Sequence, residues 1–268
     1  MESNYSNQIK LVVFDTAGTI CDGPNDLRSR WPNDDGKGCK APVVPFYELF
    51  KSEGIELSWD VIRKPMGVYK PTHLRMLLED PDVQEQWKKL HNGKAPDEND
   101  FNRMLPAYRS LLSKYILDED LSKPIDGTKE AFARIHRAGA LIGLDTGYFG
   151  IDATQLNQIL AEKFGVKADV ETNGDEAPGR PSPFMIYDCM RKAYEIRHEV
   201  FGCHQVVKVD DTATGIISGN NAGALTIGVY ASGSNSYEQL KEAEPDYLVP
   251  DITYVPDIIF SHSFEREA

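Results

Sequence analysis

Residues 10–14 read Lys-Leu-Val-Val-Phe, a β-branched apolar run that stops at Asp15 and passes into Thr16, Ala17, Gly18 and Thr19. A run that is apolar at successive positions suits a parallel strand covered on both faces, with polar groups emerging at its carboxyl end. Similar runs recur at residues 140–144, 206–209, 225–229 and 247–249, and the first three lead into small or polar turns. Between them, apolar positions at helical spacing predict helices over 128–138, 154–164, 183–194 and 214–222. Strand and helix alternate, so the pattern predicts a doubly wound α/β domain with functional residues at the strand carboxyl ends.

The stretch 43–121 carries helical periodicity at 44–50, 72–78, 83–90 and 101–115 and no convincing strand. It reads as a helical insert between the first strand and the rest of the α/β core. The expected division is a core of 1–24 and 124–268 and a helical cap of 25–123. Residues 23–40 hold Pro24, Pro32, Gly36 and Gly38 with Asn33, Asp34 and Asp35, a turn-forming composition that predicts a surface loop. Residues 123–127 form the return linker.

Composition narrows the chemistry. The 268 residues include 41% hydrophobic and 26% charged positions, a balance that supports a packed core. Twenty-nine Lys plus Arg stand against 42 Asp plus Glu, a net charge of −13. Such a surface repels phosphate backbones and anionic membranes, so nucleic acid and membrane are excluded as general partners. A phosphate-bearing ligand would need a local cation or a metal ion. The cysteines Cys21, Cys39, Cys189 and Cys203 form no CxxC pair or disulfide framework, which suits a reducing compartment. The polar start lacks a signal-peptide pattern and no apolar run approaches the ~20 residues of a membrane helix. The expectation is a soluble cytoplasmic protein.

Two carboxylate-bearing turns follow strands: Asp15 after the first run, and Asp210 with Asp211 after residues 206–209. Together they would form an oxygen-rich site suited to Mg²⁺, a hard cation. Thr146 and Gly147 follow another strand and offer a hydroxyl and a backbone N–H to phosphate oxygens. Arg180, just before a helix start, is placed to neutralise phosphoryl charge. Alone, Asp15 reads equally well as a turn aspartate; the set gives it a chemical role.

This order of motifs resembles the haloacid dehalogenase superfamily. The resemblance implies a Rossmann-like parallel-sheet core with an inserted all-helical cap. It also implies Asp15 as the nucleophile that takes the phosphoryl group, and Mg²⁺ held by Asp15, the Ala17 carbonyl and Asp211. Gly18, Thr146, Gly147 and Arg180 would contact phosphate. Most phosphatases of the superfamily carry an aspartate two residues past the nucleophile as general acid. Here that residue is Ala17, so an oxygen leaving group would lose help of roughly 10²–10⁴-fold.

Residues 63–73 hold Arg63, Lys64, Lys70 and His73 around Pro65, Met66 and Gly67. A solvated basic face is the plain reading of such a string. Together with the Asp15 loop, Thr146-Gly147-Tyr148, Gly179-Arg180-Pro181, Cys39-Lys40-Ala41-Pro42 and Asn221-Ala222-Gly223, it resembles the phosphonoacetaldehyde hydrolases (phosphonatases). That resemblance implies Lys70 as a Schiff-base lysine, His73 as its partner, and Met66, Tyr148 and Cys39 at the boundary of cap and core. It also implies a homodimer joined through the caps.

The chemistry is coherent. A carbon leaving group needs an electron sink, and a protonated imine supplies one. The amine must be neutral to attack, whereas a free lysine titrates near ~10.4. Arg63, Lys64 and partial desolvation are expected to lower Lys70. Departures from the family are Thr16 in place of Trp, Asp145 in place of a small hydroxyl residue, Asp210 in place of Gly, Gly215 in place of a second acid, and the long 23–40 loop. Asp210 is a candidate metal ligand or supporting acceptor. The alternatives are a phosphatase of the same superfamily acting on a small phosphoester, and a catalytically idle fold that binds a partner or anion.

Overall fold

The computed structural model describes residues 8–21, 38–118, 122–231 and 233–264. Six parallel strands form one sheet: β1 (Leu11–Asp15), β2 (Leu141–Thr146), β3 (Val170–Asn173), β4 (Val206–Asp210), β5 (Leu225–Val229) and β6 (Tyr247–Val249), in the order β3-β2-β1-β4-β5-β6. The strand order reverses at β1, which lies between β2 and β4, so a crevice opens beyond the carboxyl ends of those three strands. Register then decides which side chains meet there. Asp15 pairs with Asp145 of β2, and Phe14 pairs with Val209, one residue before Asp210.

The unbroken apolar reading of β1 has its cause in the packing. Val12 and Phe14 point into a cluster with Phe132, Ile252 and Val255, whereas Leu11 and Val13 join Ile186, Cys189 and Ala222 on the other face. Both faces are therefore dry, as a sheet with helices on each side requires. The flanking helices are α6 (Thr128–Arg137), α7 (Gly150–Phe164), α8 (Phe184–Arg197), α9 (Ala213–Ala222), α10 (Tyr237–Glu242) and α11 (Val255–Phe264).

Between β1 and α6 the described chain is helical: α1 (Val44–Ser52), α2 (Trp59–Arg63), α3 (Lys70–Glu79), α4 (Pro81–Leu90) and α5 (Glu98–Ile116). Phe46 of α1 is the hub of their packing. Its ring lies 4.0 Å from that of Tyr108 on α5 and 4.2 Å from that of His73 on α3. The periodicity at 72–78 understates α3, because Pro71 in the first turn lacks only an N–H that has no helical partner there. Lys70 is thereby the first helical residue.

Several elements carry no clear sequence signal. Strand β3, at the sheet edge, reads Val-Glu-Thr-Asn, four residues of which three are polar, and Glu171 alone of the four is partly exposed. The helices α2 and α10 are too short for periodicity to register, and α11, with Asp257, Ser261, His262 and Ser263 among its apolar residues, keeps no clear apolar stripe. The 23–40 loop lies outside the described residues up to residue 37. Gly38 and Cys39 are described and pack beside Gly233 and Ser234. Among the described residues, no helix is long and apolar enough to cross a membrane.

Candidate active site

The ends of β1, β2 and β4 bring Asp15, Asp145, Thr146, Asp210 and Asp211 to one place, all 5% exposed or less. Arg180 reaches this cluster from the loop before α8. Its Nη2 pairs with Asp15 Oδ1 at 2.6 Å and with Asp145 Oδ1 at 2.5 Å, and its Nη1 lies 3.5 Å from Asp210 Oδ2. A second buried cation, Lys208 of β4, stands 2.5 Å from Asp145 Oδ1 and 2.9 Å from Asp210 Oδ2. Lys208 escaped the sequence reading, which took residues 206–209 as an apolar strand. The available signal was the lysine itself, since a cation inside a strand dry on both faces has to be paired.

Lys208 also explains two departures from the family pattern. Asp145 does not confront phosphate with a free charge, because Lys208 and Arg180 take it up. The Asp210 carboxylate occupies the room a side chain at position 215 would need: a Cβ on Gly215 would lie 2.0 Å from Asp210 Oδ2. Asp210 is further held by Lys208 and by the Thr212 amide and hydroxyl, at 2.9 and 2.7 Å. Arg180 and Lys208 hold its carboxyl below the usual range despite burial.

Asp211 is held differently. Thr19 donates to its Oδ1 at 3.0 Å and the Ser234 amide to its Oδ2 at 2.6 Å. Gly18, at φ +91°, has no side chain because a Cβ would lie 2.3 Å from Asp211 Oδ2; the Gly18 N–H donates to the Cys21 carbonyl. Burial and the neighbouring carboxylates of Asp15 and Asp210 push the Asp211 carboxyl well above its ordinary value. Burial first, then Asp210 and Asp145, raise Asp15 to about 6 against the pull of Arg180 and Lys208.

These residues fit a divalent cation. Asp15, Asp210 and Asp211 each present an oxygen, all within 4.8 Å of one another. Four buried carboxylates crowd around the two cations that pair with them, Arg180 and Lys208. Burial, and after it the neighbouring carboxylates, raise Asp15 and Asp211. A hard cation beside them would remove the repulsion and return both to the ionised form.

Lys70 closes the other side. Its side chain is buried, lies 3.8 Å from Met66 Sδ and sits over the Tyr148 ring at 5.3 Å. Its ammonium is disfavoured by desolvation and, to a lesser degree, by Arg180; Cys39, Asp15 and Asp211 act in the opposite sense, and the amine titrates at about 8. A position at a helix N-terminus adds to the disfavour. The expectation that Arg63 and Lys64 supply the depression is corrected. Arg63 is turned over the Trp59 ring at 5.3 Å and Lys64 is exposed, 3.8 Å from Asp80. Burial performs the task assigned to them.

His73 lies one turn further along α3, fully buried. Its Nε2 is 2.8 Å from the Ile62 carbonyl, which can only accept, so the hydrogen resides on Nε2 and Nδ1 keeps its lone pair. Desolvation and the nearby Lys70 hold the imidazole neutral, well below its ordinary value. Cys39 is buried with its Sγ 3.1 Å from Ser234 Oγ.

Asp15, Ala17, Met66, Lys70, Thr146 and Arg180 line one cavity of about 20 Å³. That is room for little more than a water molecule, so the structure is a closed form. The residues 66–70 seal it: Thr214 donates to the Met66 carbonyl at 2.9 Å, Arg180 to that of Gly67 at 3.4 Å, and the Lys70 amide to that of Gly147 at 3.0 Å. The approach is close enough that a Cβ on Gly147 would meet the Val68 carbonyl oxygen at 2.5 Å.

A parallel sheet with an acidic cluster at its switch point and a helical insert above is the architecture of a haloacid dehalogenase-like hydrolase, and the model of that family matches residues 9–223. The chain is 37% identical over 251 residues to the phosphonoacetaldehyde hydrolase of Syntrophobacter fumaroxidans, covering 92% of this chain and 80% of that protein. It is 33% identical over 231 residues to the Bacillus cereus protein of the same name, covering 85% and 78%. Among solved structures, a phosphonoacetaldehyde hydrolase-like protein from Oleispira antarctica superposes with a TM-score of 0.83 at 26% identity, over 98% of this chain and 96% of that one. A β-phosphoglucomutase from Clostridium difficile, 17% identical with a TM-score of 0.70 over 96% and 97% of the two chains, shares the fold alone. The chain is a hydrolase and belongs, within the haloacid dehalogenase-like enzymes, to the phosphonoacetaldehyde hydrolase family.

Proposed function

We propose that this enzyme hydrolyses the carbon–phosphorus bond of phosphonoacetaldehyde, giving acetaldehyde and phosphate. One observation carries the reading: a buried lysine amine titrating at about 8 lines the same cavity as the Asp15 carboxylate and Arg180. A phosphoester hydrolase has no need of that amine.

The neutral Lys70 amine adds to the aldehyde and, with one proton taken up from the medium, expels water to leave a protonated imine. Thr146, Gly147 and Arg180 hold the phosphonate oxygens. Asp15 attacks phosphorus from the side opposite carbon, and the C–P bonding pair moves into the iminium to give an enamine. No proton is required at that moment, so Ala17, which cannot transfer one, is compatible with this leaving group. A proton then adds to the enamine carbon, and water releases acetaldehyde and restores Lys70. A second water cleaves the aspartyl phosphate. His73 Nδ1, a neutral acceptor with no hydrogen-bond partner among the described residues, suits proton movement near the amine. Asp15, Asp211 and the Ala17 carbonyl would hold Mg²⁺, with Asp210 completing the acidic set, and the ion would neutralise charge on the phosphoryl group. Tyr148, Met66 and Cys39 shape the pocket around the amine. A cytoplasmic homodimer joined through the helical insert is the assembly we attach to this reading.

The test is incubation with phosphonoacetaldehyde and borohydride, followed by peptide mapping, alongside the Lys70→Arg variant. A reduced two-carbon adduct on Lys70, with turnover lost in the variant, supports the proposal. Full phosphate release by Lys70→Arg overturns it in favour of an ester phosphatase.

A further inference from the structure

Tyr69 immediately precedes Lys70 and its side chain leaves the helical insert to enter the α/β core. Its ring lies where a Cβ on Gly174 would be, 2.1 Å from Tyr69 Cδ2, and a Cβ on Gly179 would come within 3.1 Å of Tyr69 Cβ. Phe149 meets the ring edge-on with centroids 6.0 Å apart. The phenol donates to Asp175 Oδ1 at 2.5 Å. Asp175 is itself fixed, its Oδ2 accepting from the Gly150 amide at 2.7 Å and its own amide donating to Asn173 Oδ1 at 3.0 Å. Two glycines, an aromatic edge and a tethered carboxylate thus form a socket shaped to one side chain.

We infer that Tyr69 is a positioning residue for the reaction: seated between Gly174, Gly179 and Asp175, it sets where the adjoining Lys70 amine stands against Asp15 and Arg180. The inference rests on the imine reading above. One peptide unit separates the socketed ring from Lys70, whose amide donates to the Gly147 carbonyl in the phosphate loop. The backbone from Tyr69 to Lys70 is therefore anchored on both sides, by a side chain in the loop after β3 and by a main-chain bond to the loop after β2. With the ring out of its socket, the amine's register would rest on that amide bond and, further back in the chain, on the bonds from Thr214 and Arg180 to the Met66 and Gly67 carbonyls. Displacement of a reacting group by about 1 Å costs on the order of 10²-fold in rate.

The test uses the full-length enzyme and the variants Tyr69→Phe, Tyr69→Ala and Gly174→Ala. Gly174→Ala expels the ring without touching Tyr69 or the cavity. Three quantities are read: kcat/KM for phosphonoacetaldehyde, the rate of borohydride trapping on Lys70, and the inhibition constant of inorganic phosphate, which reports the Asp15–Arg180 half alone. Tyr69→Ala and Gly174→Ala are expected to lower kcat/KM and trapping together by about 10²-fold, with phosphate inhibition within about twofold of the parent enzyme. Tyr69→Phe keeps the seat and should lose less than tenfold. Parent-like trapping in both socket variants overturns the inference and leaves the imine reading intact. Loss of phosphate inhibition in step with trapping also overturns it, since that marks general disruption. Absence of trapping in the parent enzyme overturns the imine reading and this inference with it.

Discussion

Lys70 titrates at about 8 where an unburied lysine titrates at 10.5. That difference of roughly 2.5 units is worth about 3 kcal/mol against the ammonium, and it raises the neutral fraction at pH 7 from about 0.03% to about 10%. Raising the pH across this range should therefore bring the initial rate of borohydride trapping to a plateau with a midpoint near 8. A trapping rate that climbs without inflection to pH 10 or beyond would refute the reasoning, because it would place the amine in water. The same shift has a stability consequence whose sign is fixed. The folded-state value lies below the unfolded one, so between about 8 and 10.5 the unfolded chain binds more protons and stability rises with pH. Below about pH 8 the folded protein bears the full cost of a buried charge. Lys70→Met removes that cost: its urea-unfolding free energy, compared with the parent at pH 7 and again near pH 10.5, should lose about 3 kcal/mol of relative advantage. A difference that does not change with pH would show that the charge is not buried.

Three further outcomes follow from the acidic cluster and the seal above it. In metal-free protein the raised Asp15 and Asp211 carboxyls favour the folded state only while protonated, so stability should fall as pH rises from 3.8 through about 6. Added Mg²⁺ should raise the melting temperature at pH 8 and have little effect at pH 4; equal effects at both would argue against these ligands. Lys208→Met removes one of the two cations that Asp145 and Asp210 share, leaving Arg180 to face both, which should cost about 3–5 kcal/mol in urea unfolding; a loss below about 1 kcal/mol would mean the network relaxes freely. Gly67→Ala drives a methyl to 2.2 Å from Thr214 Oγ1 at φ +90°, so closure over the cavity should fail, with kcat/KM reduced at least tenfold and the melting temperature little changed. Parent-like kcat/KM would show that residues 66–70 need not seal the site.

Much of this protein is legible one residue at a time. The strands buried on both faces announce themselves as unbroken apolar runs, because each alternate side chain meets a helix on its own side of the sheet. The helical insert shows in its 3.6-residue period, and Asp15, Thr146, Arg180 and Asp211 stand out as polar groups at strand ends or before a helix. Edge strand β3 does not, since three of its four residues are polar although Thr172 and Asn173 are buried. The other part belongs to three dimensions. Nothing local in a Lys-Pro-Thr-His helix start distinguishes a solvated lysine from one that titrates at about 8; that depends on which side chains exclude water from it. Arg63 and Lys64 are neighbours in the chain yet turn elsewhere, whereas Arg180, 110 residues further on, shares the cavity. Likewise Asp145, Lys208 and Asp210 acquire meaning only once strand order sets β2, β1 and β4 side by side. Local sequence determined which segments could bury and which residues could react, because backbone periodicity is a local property. Electrostatics in a dry interior acts through space, so the charge state of each group was decided by the fold.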